Sequence, residues 1–285
     1  MNPKRIELEG ANADAIPDSG REICVDKKFS FRAKIVNHFP NHLFQRLAAK
    51  EATFEGVDFS YTIFDTCYLR KCVFLDCNFT GCRFTASNFY GSSFNGCKFD
   101  YSVFERTIVD VEILDVGCPS AENLRSKFAR SLRTNFQSLG DADSANKAIK
   151  VELAATQEHF WKGWKSPESY YRRKYTGQSR VNMFLKWISF KLGDYIWGNG
   201  ESLWKLGRAV AVLLVIMAFA DVFLTGKDIG RIISYRESFL HVPAVFLGIK
   251  SPQEYPELYL AIVFAIRFVM MGFLLSIIIK RFNRR

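Results

Sequence analysis

The 285-residue sequence predicts a multi-domain chain: a solenoid on a five-residue repeat, a basic helical middle, and two membrane-spanning helices near the C-terminal end. Three observations carry this expectation. Apolar residues recur every five positions over 52–116, tryptophan and basic residues crowd 160–208, and two long apolar runs follow at 206–224 and 258–279.

Taken from the start, MNPKRIELEGANADAIPDSG is rich in Asn, Asp, Gly and Pro and lacks the apolar core of a secretion signal. Residues 1–22 are therefore expected as a flexible lead, residues 23–51 as a cap on the solenoid, and the bulk of the chain as cytoplasmic. Seven cysteines in such a chain are expected to be reduced.

Dividing the sequence every five residues from Ala52 places Phe54, Phe59, Phe64, Leu69, Phe74, Phe79, Phe84, Phe89, Phe94, Phe99 and Phe104 at the third position, followed by Val109 and Leu114. The first position is small throughout, from Ala52, Val57 and Thr62 through Cys67, Cys72, Cys77 and Cys82 to Thr107. A helix repeats at about 3.6 residues and a strand at about two, so neither explains this spacing. A longer fixed period marks a solenoid, whose repeats bury their apolar faces by stacking.

The pattern resembles the pentapeptide-repeat family, whose consensus sets a small residue two positions before a central Leu or Phe. The resemblance implies a right-handed quadrilateral β-helix of about three coils over 52–116, roughly 15 Å tall at strand spacing, with both positions pointing inward. One coil would then put Cys67, Cys72, Cys77 and Cys82 on four walls around a phenylalanine core. That arrangement prevents four sulfurs from converging on one metal. The thiols are read as packing, with Cys77 and Cys97 stacked on one wall.

The repeats carry nine acidic against five basic side chains, a net of −4 in a chain of +10. The basic surplus therefore lies elsewhere, and it suits nucleic acid or an anionic membrane surface. Some members of the family mimic DNA through an acidic face. This solenoid is short and only mildly acidic, so a protein partner is expected on it, and nucleic acid is not.

After residue 116, Leu124, Phe128, Leu132, Phe136 and Leu139 recur at helical spacing up to Gly140, and Asp141 or Asp143 can cap a second helix. A basic helical hairpin and linker is expected over 117–179. Residues 180–205 follow with Val181, Phe184, Leu185, Ile188, Leu192 and Tyr195 on one helical face among lysines and tryptophans. That is the composition of a helix lying in a membrane interface, with membrane lipid as its partner.

Residues 206–285 form the expected membrane domain. Its two runs are each long enough to cross about 30 Å of hydrocarbon. Basic residues before the first and Lys280, Arg281, Arg284 and Arg285 after the second place both termini in the cytoplasm. Asp221 and Arg267 lie within the runs, where charge is costly and often functional. They are expected either to pair with each other or to line a water-filled path.

The loop 225–257 contains a short apolar segment, 238–246, ending at Gly248. With LRTNFQSLGDADSANKA after the repeats and GNGESLWKLG before the first run, this order resembles bacterial proteins that join pentapeptide repeats to a two-span, potassium-channel-like domain. The resemblance implies a re-entrant pore loop, a bend near Gly272, and a homo-oligomer, tetrameric by analogy, in the inner membrane. The sequence departs from that family at the filter. Phe246, Leu247, Gly248, Ile249 and Lys250 stand where a double-glycine carbonyl ladder would be needed, so potassium selectivity is not implied.

No phosphate-binding loop, dinucleotide fingerprint or zinc-protease or esterase motif occurs. Pro40 separates His38 from His42, and His159 and His241 stand alone. Neither an enzyme nor a cofactor or metal is expected. The leading expectation is an oligomeric pore with a cytoplasmic sensing or docking solenoid. A membrane-anchored scaffold and a regulated membrane-disrupting effector are the alternatives.

Overall fold

A computed structural model of the protein describes residues 20–282. The chain divides between Ala155 and Thr156 into two compact units. Residues 1–19 of the expected lead, and Arg284 and Arg285, lie outside the described residues.

Among its described residues the first unit has eleven short strands: β1 (Glu22–Val25), β2 (Lys34–Ile35), β3 (His42–Gln45), β4 (Ala48–Lys50), β5 (Thr53–Glu55), β6 (Ile63–Asp65), β7 (Tyr68–Arg70), β8 (Val73–Leu75), β9 (Arg83–Thr85), β10 (Ser93–Asn95) and β11 (Val103–Glu105). They pair only in parallel, in the orders β1-β3-β6-β9-β11, β10-β8-β5-β2 and β4-β7. Single bridges such as Asp58 to Asn78 and Asn78 to Lys98 supply a fourth wall. Partners such as Phe44 and Phe64, or Phe54 and Phe74, stand twenty residues apart, which is four pentads to a coil.

The expected core is present. Phe54, Phe74 and Phe94 form one column of near-parallel rings with centroids 4.7 and 5.0 Å apart. Phe59, Phe79 and Phe99 form a second at 5.1 and 5.0 Å, and Phe64, Phe84 and Phe104 a third at 5.1 and 4.5 Å. Leu69 and Phe89 fill the remaining wall, fully buried. Ring spacing thus equals strand spacing, so the repeat is closed by backbone ladders and side-chain stacking together.

Each corner uses the small first residue. Cys82 Sγ donates to the Phe59 carbonyl at 2.9 Å, and Ser92 Oγ donates to that of Leu69 at 2.7 Å. Thiol and hydroxyl therefore do the same work, tying a coil to the one before it. From Glu51 to Arg106 the last residue of each pentad has positive φ, between 47° and 72°, which turns the chain from wall to wall. Few non-glycine residues adopt this conformation. Here the inter-coil bonds enforce it, as in Tyr61, whose amide donates to the Thr80 carbonyl at 2.8 Å.

Two boundaries differ from the expected 52–116. The coils begin at β1, within the segments expected as lead and cap. Their inward residues Cys24, Phe29, Ile35, Phe39, Phe44 and Ala49 break the strict period of five around Ile35, which pairs with Phe54 nineteen residues on. A search at constant spacing misses this. At the other end, residues 113–116 leave the solenoid as a helical turn, α1 (Ile113–Val116), although Ile113 and Leu114 stay buried.

Helix α2 (Glu122–Ser138) closes the open end of the coils. Phe128 packs 5.5 Å from Phe99, its ring tilted by 38°, and so covers the end of a core column. Asn135 Oδ1 accepts the Thr107 amide, and its Nδ2 donates to the Thr107 carbonyl, both at 2.7 Å. A strand edge is thereby satisfied by one side chain. Gly140, at φ +76°, ends the helix, and Asp141 caps α3 (Ala142–Lys165) through the Ser144 amide at 3.0 Å. Leu139, at the end of α2, is exposed.

The second unit holds the end of α3, then α4 (Ser169–Lys174), α5 (Gly177–Trp197), α6 (Leu203–Leu224), α7 (Ile232–Phe246) and α8 (Glu257–Phe282). Of the expected amphipathic face on α5, Val181, Leu185, Ile188, Leu192 and Tyr195 are exposed, whereas Phe184 packs 4.7 Å from Trp164 of α3. Helices α6 and α8, 22 and 26 residues long, are long and apolar enough to cross a membrane. Only 11% of the most apolar stretch of α8 is buried, unlike the core helix of a water-soluble fold. Helix α8 runs unbroken through Gly272, where a methyl group would meet nothing within 4 Å.

Candidate functional site

Asp221 of α6 and Arg267 of α8 lie in two separate arrangements rather than one. Asp221, near the end of α6, is fully buried. Its carboxylate pairs with Lys227 Nζ at 2.9 Å and accepts a hydrogen bond from the Tyr255 hydroxyl. Lys227 also donates to Ser238 of α7 at 3.1 Å. A buried carboxylate needs such partners, and these tie α6, the loop after it, α7 and the approach to α8 to one point. Burial, and after it the hydrogen bond to this carboxylate, pushes the Tyr255 phenol well above its usual range.

The expected alternative of an Asp221–Arg267 pair is therefore not formed, because Lys227 and Tyr255 satisfy the carboxylate first. Lys227, Ser238 and Tyr255 are neighbours of Asp221 that the sequence did not reveal. They lie 6, 17 and 34 residues from Asp221 with no periodic relation to it.

Arg267 instead lies against the end of α7. Helix α7 is 15 residues long, too short to span about 30 Å, and begins six residues before the apolar segment 238–246. It closes on a paired cap. The Ile249 amide donates to the Ala244 carbonyl at 2.8 Å and the Gly248 amide to that of Val245 at 3.0 Å, with Gly248 left-handed at φ +75°. This is the Schellman pattern, and it accounts for the one glycine left in the stretch. Residues 246–250 thus terminate a helix instead of aligning carbonyls along a path, which corrects the expectation of a degenerate filter.

A Cβ on Gly248 would collide with the Arg267 guanidinium, so the two are in direct contact. The guanidinium also sits 4.8 Å from the Phe264 ring centroid. It opens onto an apolar cleft of about 670 Å³ whose lining includes Leu206, Val210, Phe246, Leu247, Phe268 and Met271. A cation at the C-terminal end of a helix meets the negative end of its dipole. Phe246, Leu247, Gly248 and Arg267 are thus brought together, while Ile249 and Lys250 are exposed beyond the cap and Gly272 lies a turn further along α8.

The solenoid contributes a different surface. Arg70 lies between two tyrosines, 5.9 Å from the Tyr68 centroid and 5.0 Å from that of Tyr90. Tyr61 and Tyr101 are exposed as well, with Gly81 beneath the Tyr61 ring.

These coils place the chain beside known proteins. Residues 43–83 match a family model described as pentapeptide repeats (9 copies), and residues 77–108 a second described as pentapeptide repeats (8 copies). The chain carries a pentapeptide-repeat β-solenoid, followed by helices of which two are long and apolar enough to span a membrane. Among solved structures it is similar to a pentapeptide repeat protein from the Arabidopsis thaliana thylakoid lumen. The identity is 16% over 37% of this chain and 72% of that one, with a TM-score of 0.28. It is also similar to QnrB1, a plasmid-mediated fluoroquinolone resistance protein, at 16% identity over 31% of this chain and 62% of that one, with a TM-score of 0.10. No curated protein sequence matches it.

Proposed function

We propose that the chain is the subunit of a homo-oligomeric pore in the inner membrane, with both termini and the solenoid on the cytoplasmic side. The observation that carries this reading is the contact between Gly248 and Arg267. A helix too short to span is turned back between two spanning helices, and its end faces a charge ten residues into the second. Burying a guanidinium in lipid is expensive, whereas lining a water-filled axis is not. Copies around that axis bring the Arg267 side chains into a ring, which repels cations and disfavours potassium. The exposed apolar face of α5, flanked by Lys186 and Lys191, lies in the anionic interface.

The solenoid serves as the docking module. Tyrosine and arginine dominate the energetics of protein interfaces, and Tyr68, Arg70 and Tyr90 form such a cluster on one wall. That same cluster favours the second reading, a scaffold that the helices merely tether. Replacing both spans by an unrelated anchor separates the two, since a scaffold keeps its function and a pore loses it. The first test is the mass of the detergent-solubilised chain. An oligomer is expected, and a monomer overturns the pore, because two spans cannot enclose a path.

A further inference from the structure

The first coil brings together three side chains of metal-binding chemistry that are distant in sequence. Strand β1 pairs with β3 in the register Glu22 to His42 and Cys24 to Phe44. Glu22 and Cys24 lie two residues apart on one strand, and the twenty-residue coil delivers His42 beside them. A carboxylate oxygen of Glu22, Cys24 Sγ and a ring nitrogen of His42 all lie within 4.8 Å of one another. None of the cysteines of 67–82 belongs to this cluster.

The two ring nitrogens of His42 have different neighbours. Its Nδ1 lies 2.8 Å from the Pro40 carbonyl oxygen, which can only accept, so Nδ1 carries the hydrogen. In neutral imidazole Nε2 is then a bare lone pair. That atom faces Glu22 Oε2 at 3.1 Å, so nitrogen and carboxylate already converge on one point. A backbone carbonyl on one ring nitrogen is also the usual device that orients the other toward a metal.

We propose that Glu22, Cys24 and His42 bind a divalent transition-metal ion of the zinc class. One nitrogen, one thiolate and one carboxylate suit zinc or cobalt and do not suit magnesium or calcium, which take all-oxygen sets. With bonds of about 2.0 Å to nitrogen and oxygen and about 2.3 Å to sulfur, tetrahedral donors stand about 3.3 to 3.5 Å apart. His42 and Glu22 are already that close. The Cys24 thiol, half-buried on the edge strand, closes the remaining gap by rotating about its side-chain bonds. Arg21 does not compete for the carboxylate, because its guanidinium donates to the carbonyls of His42 at 3.2 Å and Tyr61 at 2.7 Å.

Three protein ligands leave a fourth position to water. The ion fastens β1, the edge strand of its sheet, to β3 and so locks the first coil. His42 is fixed, with its side chain 11% exposed, while Glu22 at 72% is free to move onto or off the ion.

The test is titration of the full detergent-solubilised, chelator-stripped chain with zinc against a chromophoric chelator, with cobalt as the spectroscopic probe. One equivalent should bind, and cobalt should give a thiolate charge-transfer band. Cys24→Ser should abolish the band and Cys118→Ser leave it. Glu22→Gln, at an exposed position that does not disturb folding, should weaken zinc binding by more than about 100-fold, beyond the loss typical of an outer-shell partner. Hydrogen exchange of the Glu22–Val25 amides should slow with zinc in the wild type and not in Glu22→Gln. Failure to bind micromolar zinc would reduce the cluster to a His42–Glu22 ion pair and overturn the proposal. A band that survives Cys24→Ser would do the same.

Discussion

The amide of Ile249 donates to the carbonyl of Ala244 across the end of α7, at 2.8 Å. With Gly248 left-handed between them, that bond turns the chain back toward Tyr255 and brings Arg267 onto the glycine. The glycine has two reasons to be there, a conformation and a neighbour. Gly248→Ala should cost about 1–2 kcal/mol from the left-handed backbone alone. Displacement of Arg267 should add to this, read as a lower thermal midpoint in detergent. Gly272→Ala, on the same face of the problem but with open space around it, should leave the midpoint unchanged or raise it slightly.

Removing a ring from a core column should be the most damaging single change in the solenoid. Phe79 is fully buried between Phe59 and Phe99. Phe79→Ala should destabilise by about 3–5 kcal/mol in denaturant unfolding. Cys82→Ser, which keeps a donor to the Phe59 carbonyl, should cost far less. Equal losses would contradict the assignment of the thiols as corner residues.

The corners can be improved. Ala86 is exposed and held at φ +48°, in a row where Gly56, Gly81, Gly91 and Gly96 occupy equivalent positions. Ala86→Gly relieves about 1–2 kcal/mol of backbone strain and returns about 0.5–1 kcal/mol as unfolded-state entropy. A net gain of about 1 kcal/mol is expected, measured as a shift in denaturant midpoint with an unchanged slope.

Burial pushes the Cys67 and Cys72 thiols up to about 11, from 9.0. The folded state therefore holds protons that the unfolded state has already released between these values. The solenoid should lose stability as pH rises from about 9 to 11, and nothing from this source below 9. Unfolding followed from pH 8 to 11 should show that decline. The double variant Cys67→Ser, Cys72→Ser should flatten it. Alkylation at neutral pH should spare both thiols in the native chain and reach all seven cysteines once it unfolds.

What the sequence made legible follows from periodicity. From Phe54 to Phe104 every inward residue keeps one spacing, so core, corner and coil could be read directly. The first coil could not, because the pairing of Ile35 with Phe54 skips one residue. The approach of His42 to Glu22 and Cys24 was hidden as well, because it depends on counting coils and not on a local motif. In the membrane region, length and hydropathy marked α6 and α8, but charge pairing was opaque. Asp221 finds Lys227 and Tyr255 through a loop whose path no local pattern encodes. Gly248 looked like the remnant of a filter, because a helix-capping glycine and a filter glycine share the left-handed requirement.

The pore reading is tested most directly by ion flux through liposomes holding the verified oligomer, wild type against Arg267→Ala. The account predicts flux of chloride over potassium in the wild type, and relaxed discrimination once the guanidinium is gone. Liposomes that stay silent with an intact oligomer, or flux that Arg267→Ala leaves unchanged in size and selectivity, would contradict it.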